Sequence, residues 1–173
     1  MELSPGVLKC CSLRLLHLRV EKELSCAIGD LKHLSYLNLS YGNFKTLPES
    51  LCQLLNLQIL KLDYCFKLEK LPYGLVRLKA LQQLSLKGCM MLSVTHVGKL
   101  SSLRNLYTYI VGEERGFLLA ELGPLKLKRD LDIEHVERVK SVNDAKEANM
   151  SSKQLNKFDI GMGEKWRGGI RRK

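Results

Sequence analysis

The sequence predicts an α/β solenoid, in which short repeats stack along one axis and each repeat adds one short strand to a parallel β-sheet. Leucine supplies 36 of the 173 residues and recurs in the pattern L-x-x-L-x-L, with its last position degenerate in the fifth copy. The last part of the pattern, L-x-L, has a period of two, which is typical of a short strand with one buried face. The copies begin at Leu13, Leu34, Leu57, Leu81 and Leu103.

Two weaker copies, Leu131-x-Ile133 and Leu155-x-x-Phe158-x-Ile160, extend the series to about seven repeats in residues 13–160. A single repeat is too short to form its own core, so its leucines must be buried against the next copy. We therefore expect parallel strands on a concave face and the returning chain on a convex face. Residues 1–12 are expected to be an N-terminal lead-in. Residues 161–173, with five basic residues and one acidic residue, are expected to be a disordered basic tail.

The convex side is expected to be irregular or to contain only short helices. Leu47-Pro48 and Leu71-Pro72 occupy equivalent positions in successive repeats, and proline fixes φ and removes a hydrogen-bond donor. One convex helix is predicted over residues 144–154. Asp144 would cap its first turn, and Glu147, three residues later, would complete a capping box.

Composition excludes several classes of protein. No apolar run approaches 18 residues, so we expect no membrane span, and the N-terminus shows no secretory signal. Six cysteines without a C-x-x-C pair favour a reducing compartment, and we expect a cytoplasmic protein. Cys65 and Cys89 each follow the second strand leucine by three residues. That position favours buried structural thiols, with redox or metal chemistry as the alternative.

No arrangement typical of an active site is present. The four histidines are not spaced with other ligands as a metal site requires, and neither G-x-S-x-G nor H-E-x-x-H occurs. We therefore expect no enzyme activity, no cofactor, no metal and no small-molecule substrate. Asp130, Asp132 and Glu134 alternate on one predicted strand and so point the same way. Such a row could perform acid–base chemistry or hold a cation, but we favour an acidic strip on a binding surface.

The residues between the strand leucines are expected to lie exposed on the concave face, and this is the surface we predict to bind a protein partner. Tyrosines there would offer a large contact area. On the same alternation Ser40 and Ser85 should be exposed and Thr108 should point inward. The predicted binding residues are Tyr36, Asn38, Lys61, Asp63, Gln83, Lys87, Asn105, Tyr107, Tyr109, Asp130, Asp132 and Glu134.

These repeats resemble a known family. The pattern L-x-x-L-x-x-L-x-L-x-x-C-x-x-L-x-x-L-P, together with residues 28–40 and 57–72, is similar to the leucine-rich repeats of plant nucleotide-binding disease-resistance proteins. Residues 111–117 and 122–127 resemble a segment of their coiled-coil subclass. The sequence departs from the family in having no phosphate-binding loop, because Gly98-Lys99 is followed by Leu100.

The resemblance implies protein recognition in plant innate immunity. The partner would be a pathogen effector, a host target or the receptor's own nucleotide-binding module. The alternative is nucleic-acid binding or a general scaffold, suggested by 28 basic against 18 acidic residues and a formal charge of +10. The mixed charge of the predicted concave face argues against nucleic acid.

Overall fold

The protein is a stack of parallel β-strands joined by short 3₁₀ turns, described by a computed structural model over residues 12–89, 92, 96–113 and 116–161. The lead-in, apart from Ser12, and the tail after Gly161 lie outside the described residues. One sheet contains β1 (Leu15–His17), β2 (Tyr36–Asn38), β3 (Ile59–Lys61), β4 (Gln83–Ser85) and β5 (Asn105–Leu106). A second sheet contains β6 (Thr108–Ile110), β7 (Lys128–Glu134) and β8 (Gln154–Gly161).

Strand register in the first sheet follows the leucine pattern. The central leucines pair in sequence as Leu16↔Leu37, Leu37↔Leu60, Leu60↔Leu84 and Leu84↔Leu106. All five are buried, because each repeat covers the leucines of the repeat before it. Burial of each leucine side chain contributes roughly 1.5–3 kcal/mol. The predicted repeat solenoid is confirmed.

The convex side carries short 3₁₀ turns, as predicted. Pro48 and Pro72 each stand directly before such a turn, where a missing backbone N–H costs nothing. The thiols of Cys65 and Cys89 are buried and donate to the carbonyl oxygens of Leu39 and Leu62 at 3.3 and 3.0 Å, so both are structural. The turns span Cys26–Asp30, Glu49–Gln53, Tyr73–Arg77, Val97–Lys99, Leu119–Leu122, Val136–Arg138 and Met150–Ser152.

The predicted helix over residues 144–154 is wrong in both its bounds and its cap. Helix α1 covers Val142–Glu147, and the Ser141 hydroxyl caps it by accepting from the N–H of Asn143 at 3.1 Å. Asp144 is buried instead, and its carboxylate accepts from the N–H of Ala120 in the neighbouring repeat at 2.7 Å. The left-handed backbone of Asn149 follows the helix.

Strand pairing changes register between β5 and β6, and the prediction for Tyr109 is wrong for that reason. Thr108 pairs with Asp132 and Tyr109 pairs with the buried Ile133. Tyr107, between the two strands, interrupts the alternation, so Tyr109 turns inward and is 0% exposed. Its hydroxyl donates to the carbonyl of Leu118 at 2.8 Å.

The last strand lies at the end of the described stack. Phe158 and Ile160 occupy positions where earlier repeats bury leucine, yet they are 42% and 60% exposed. Within the described residues, no further repeat covers them. Gly161, which the sequence assigned to the tail, is the last residue of β8 and pairs with Glu134.

Candidate functional site

An open groove of about 400 Å³ crosses the concave face from β3 to β8. Seven of the twelve predicted binding residues meet in it: Lys61, Asp63, Gln83, Lys87, Tyr107, Asp130 and Asp132. Ser85, Thr108 and Lys157 complete its lining. Strand register extends this face to Tyr36, Asn38, Asn105 and Glu134, each of which is half-buried. Tyr109 does not belong to the face, since its ring is in the core.

The first half of the groove is basic. Lys61 and Lys87 extend from neighbouring repeats, and the Lys61 ammonium lies 5.8 Å from the centre of the Tyr36 ring. A Lys–Tyr contact of this kind holds the chain of the lysine along the face while its charge stays exposed to a partner. We call Lys61 and Lys87 the basic half of the groove.

The carboxylate of Asp63 lies between these lysines but is held by the protein itself. It accepts from the Ser85 hydroxyl at 2.6 Å and from the N–H of Lys87 at 3.0 Å. Ser85 is therefore buried rather than exposed, which corrects the sequence prediction. Asn38 makes a local contact instead, in which its side-chain oxygen accepts from the N–H of the equally buried Ser40 two residues later.

The second half of the groove is acidic, and its carboxylates are partly removed from water. Asp130, Asp132 and Glu134 alternate along β7, as the sequence predicts. Burial raises the pKa of Asp132, and the charge of Asp159 on β8 adds to the effect. Burial also raises the pKa of Glu134. We call Asp130, Asp132 and Glu134 the acidic half of the groove.

These three carboxylates form no ion pair with any residue that the structure describes. Lys157, the cation nearest to them on β8, is bonded to Asp159 instead. A cation from a partner would therefore meet charge that is already partly desolvated, and desolvation strengthens the attraction.

One buried residue also borders the groove. Thr108 is 4% exposed, so the expectation that it points inward is confirmed, although it also lines the groove beside Tyr107. Together with Tyr109, Ile110 and Val111 it forms a run in which every side chain is buried, so the alternation of inward and outward residues is lost here.

Two features of the described residues bear on other functions. No group of three or more His, Cys, Asp or Glu side chains is arranged to hold a metal ion there. None of the helices in that part of the chain is long and apolar enough to cross a membrane.

Comparison with known proteins identifies the repeat. A family model described as a leucine-rich repeat region matches residues 1–164. The chain belongs to the leucine-rich repeat family. It is 44% identical over 153 residues to disease resistance protein RGA2 of Solanum bulbocastanum, and 45% identical over 154 residues to the putative disease resistance protein RGA4 of the same species. The chain spans about 16% of the length of either relative.

Solved structures agree on the fold. An internalin C2 from Listeria monocytogenes aligns with a TM-score of 0.60 at 18% identity, covering 92% of this chain and 76% of that one. The Arabidopsis receptor kinase HAESA aligns with a TM-score of 0.58 at 21% identity, covering 77% of this chain and 24% of that one. Identities this low support the fold alone.

Proposed function

We propose that the chain is the protein-recognition part of a plant disease-resistance receptor and that it binds its partner in the concave groove. The partner is a pathogen effector, a host target or a nucleotide-binding module of the receptor, and the site of action is the cytoplasm. The observation that carries the proposal is the groove itself, which has a basic half on the first sheet and a partly desolvated acidic half on the second. The sequence identity to plant disease resistance proteins supports a role in plant disease resistance.

The shape of the groove favours a polypeptide over a small molecule. It is open along the sheet, and ten residues from several repeats line it. Three strand-to-strand steps separate β3 from β7, a distance of roughly 14 Å at the usual spacing of about 4.8 Å. A partner that satisfies both halves therefore carries an acidic group and a basic group on one surface at about that separation.

Nucleic acid is the second candidate, favoured by the formal charge of +10. A phosphate backbone needs a continuous basic track, whereas the acidic half of the groove would repel it. A salt titration with random duplex DNA distinguishes the two functions. Binding that falls steeply with salt and ignores changes in the acidic half would support nucleic acid.

The proposal is tested by reversing the charge of the acidic half. Asp130, Asp132 and Glu134 are changed together to Lys, and binding is measured by interferometry against the portion of RGA2 that lies outside the matched segment. The family resemblance implies that this portion holds a nucleotide-binding module. We expect a loss of at least tenfold in affinity, because rim-exposed and half-buried charges govern both encounter and fit.

A matched control keeps the overall charge change the same. Asp30, Glu23 and Glu147 are exposed and lie outside the groove, so reversing all three to Lys adds the same charge elsewhere. We expect this control to stay within about twofold of the parent affinity. An equal loss in both triple variants would mean that net charge, not the groove, controls binding. No binding of the parent chain at micromolar concentration would remove this module as the partner.

A further inference from the structure

Strand β8 forms a long edge of the second sheet that is unpaired in the part of the chain that the structure describes. It has eight residues, Gln154–Gly161, whereas the strands of the first sheet have two or three. It comes last in the order β6-β7-β8, so only β7 pairs with it. A long exposed edge strand presents a row of unpaired N–H and C=O groups, which is a template for pairing with another chain.

The backbone groups that point away from β7 can be assigned from the register. The N–H of Asp132 on β7 donates to the carbonyl of Tyr107, just before β6, at 2.8 Å. Successive residues of a strand direct these groups to opposite sides, so Leu131 bonds to β8. Leu131 is in register with Phe158, and in a parallel pair it bonds to the residues on either side of that partner. The N–H and C=O groups of Phe158, and of Ile160 two residues later, therefore point to the free edge.

The side chains of this edge combine apolar surface with balanced charge. Phe158 and Ile160 are exposed apolar residues, as described above. Lys157 and Asp159 alternate with them, are exposed on the concave side and form an ion pair within the strand. A lysine on an edge strand usually opposes pairing, but here Asp159 supplies a matching charge two residues away. The edge therefore offers a partner one positive and one negative position on the same face.

We propose that β8 pairs antiparallel with β8 of a second copy of this chain, about a twofold axis at Phe158. In this register Lys157 of one copy lies opposite Asp159 of the other, and this happens twice because of the symmetry. The two Phe158 side chains face each other on the opposite side of the sheet. Opposite charges and aromatic residues directly across an antiparallel pair stabilise it. A twofold interface uses the same patch on both copies, and this patch complements itself.

The charges favour this register over its neighbours. An axis at Lys157 would place two lysines opposite each other, and an axis at Asp159 would place two aspartates opposite each other. Like charges directly opposite are destabilising. An axis at Phe158 also lets the two Phe158 residues exchange a pair of N–H···O=C bonds, because their backbone groups face the free edge in both copies. Charge and backbone direction therefore agree on one arrangement.

The pairing has a consequence for the concave face, although it does not rest on the function proposed above. It joins the second sheets of two copies, so that β7 of each copy lies on either side of the axis. Three strand-to-strand steps then separate the two acidic halves, roughly 14 Å at the usual spacing of about 4.8 Å. This exceeds the Debye length of about 8 Å at physiological ionic strength, so their repulsion is largely screened. The dimer presents two acidic halves on one sheet.

The test is sedimentation velocity of the full chain over the micromolar range, with no other protein present. We expect the parent chain to be in a monomer–dimer equilibrium. Lys157→Asp and Asp159→Lys each place like charges opposite one another twice, so each single variant should dimerise at least tenfold more weakly. A mixture of the two single variants restores both opposite-charge pairs and should form a heterodimer within about threefold of the parent affinity.

Further variants separate this register from general effects of charge and folding. The double variant Lys157→Asp with Asp159→Lys exchanges the charges and should dimerise like the parent, which keeps the test valid if one single variant does not fold. Lys45→Asp and Glu69→Lys make the same charge changes at another exposed ion pair and should leave dimerisation unchanged. A monomeric parent chain, or a mixture that dimerises no better than the single variants, would overturn the proposal. Assemblies that keep growing with concentration would indicate head-to-tail stacking and would overturn it as well.

Discussion

Replacement of Lys153 by Met is expected to destabilise the protein by about 1–2 kcal/mol. Its ammonium donates to the carbonyl oxygens of Leu122 and Leu125 at 2.7 and 2.9 Å, across the gap between two repeats. Hydrogen bonds from charged donors contribute roughly 1.5–3 kcal/mol, and a carbonyl left without a donor costs about 1–3 kcal/mol. The site is only partly buried, so water can reach these oxygens in the variant, and the lower part of that range applies.

The assay is urea denaturation followed by circular dichroism, with Lys146→Met as the control. Lys146 is exposed on α1 and should change the free energy of unfolding by less than about 0.5 kcal/mol. Sequence alone does not distinguish these two lysines, whereas the structure shows that Lys153 donates to carbonyl oxygens of the preceding repeat. Equal effects of the two variants, or a stabilised Lys153→Met chain, would refute the role of Lys153 as a clamp between repeats.

Three further outcomes follow from the structure. Leu60→Ala should cost roughly 2–5 kcal/mol in urea denaturation while Lys61→Ala costs less than about 0.5 kcal/mol, and similar costs would mean that the strand register is wrong by one residue. Tyr109→Phe should lower the free energy of unfolding by about 0.5–1.5 kcal/mol, because it loses the hydrogen bond to Leu118, whereas Tyr107→Phe should change it almost not at all. A larger loss of stability in Tyr107→Phe than in Tyr109→Phe would exclude the register change. Asp132→Asn should stabilise the chain at pH 7 by less than about 1 kcal/mol. The pKa of Asp132 is raised in the folded state, so the parent chain loses stability as pH rises through that pKa, and the variant does not. Unfolding free energies with the same pH dependence in parent and variant would contradict this.

The first five strands could be predicted from sequence because their information is local and repeated. Leu16, Leu37, Leu60, Leu84 and Leu106 pair as the L-x-L schedule requires, since a one-residue slip would expose every leucine in a strand. The prediction failed at Tyr109, where one residue between two strands reverses the alternation. A repeat pattern fitted to leucines places Thr108 in the core correctly but cannot anticipate that Tyr109, the next residue, is buried as well.

The remaining errors arise from contacts between repeats. Ser85 is buried because Asp63, one repeat earlier, accepts its hydroxyl hydrogen. Asp144 leaves the helix cap because the N–H of Ala120 is within its reach. Neither partner is near in sequence, so local propensity could not find them. The charge of each half of the groove could be predicted from the sequence. The desolvation of Asp132 could not, because it depends on the residues that pack around it in the folded chain.

The central claim is that a protein partner contacts the concave face. Its most direct test places a photoreactive benzoyl-phenylalanine at Tyr107, inside the groove, or at Tyr73, on the convex side. Both positions already hold tyrosine, so each tolerates a large ring. With the RGA2 portion used above as partner, we expect a cross-linked product from position 107 and none from position 73. A product from position 73 alone would move the binding surface to the opposite side of the solenoid and contradict the account.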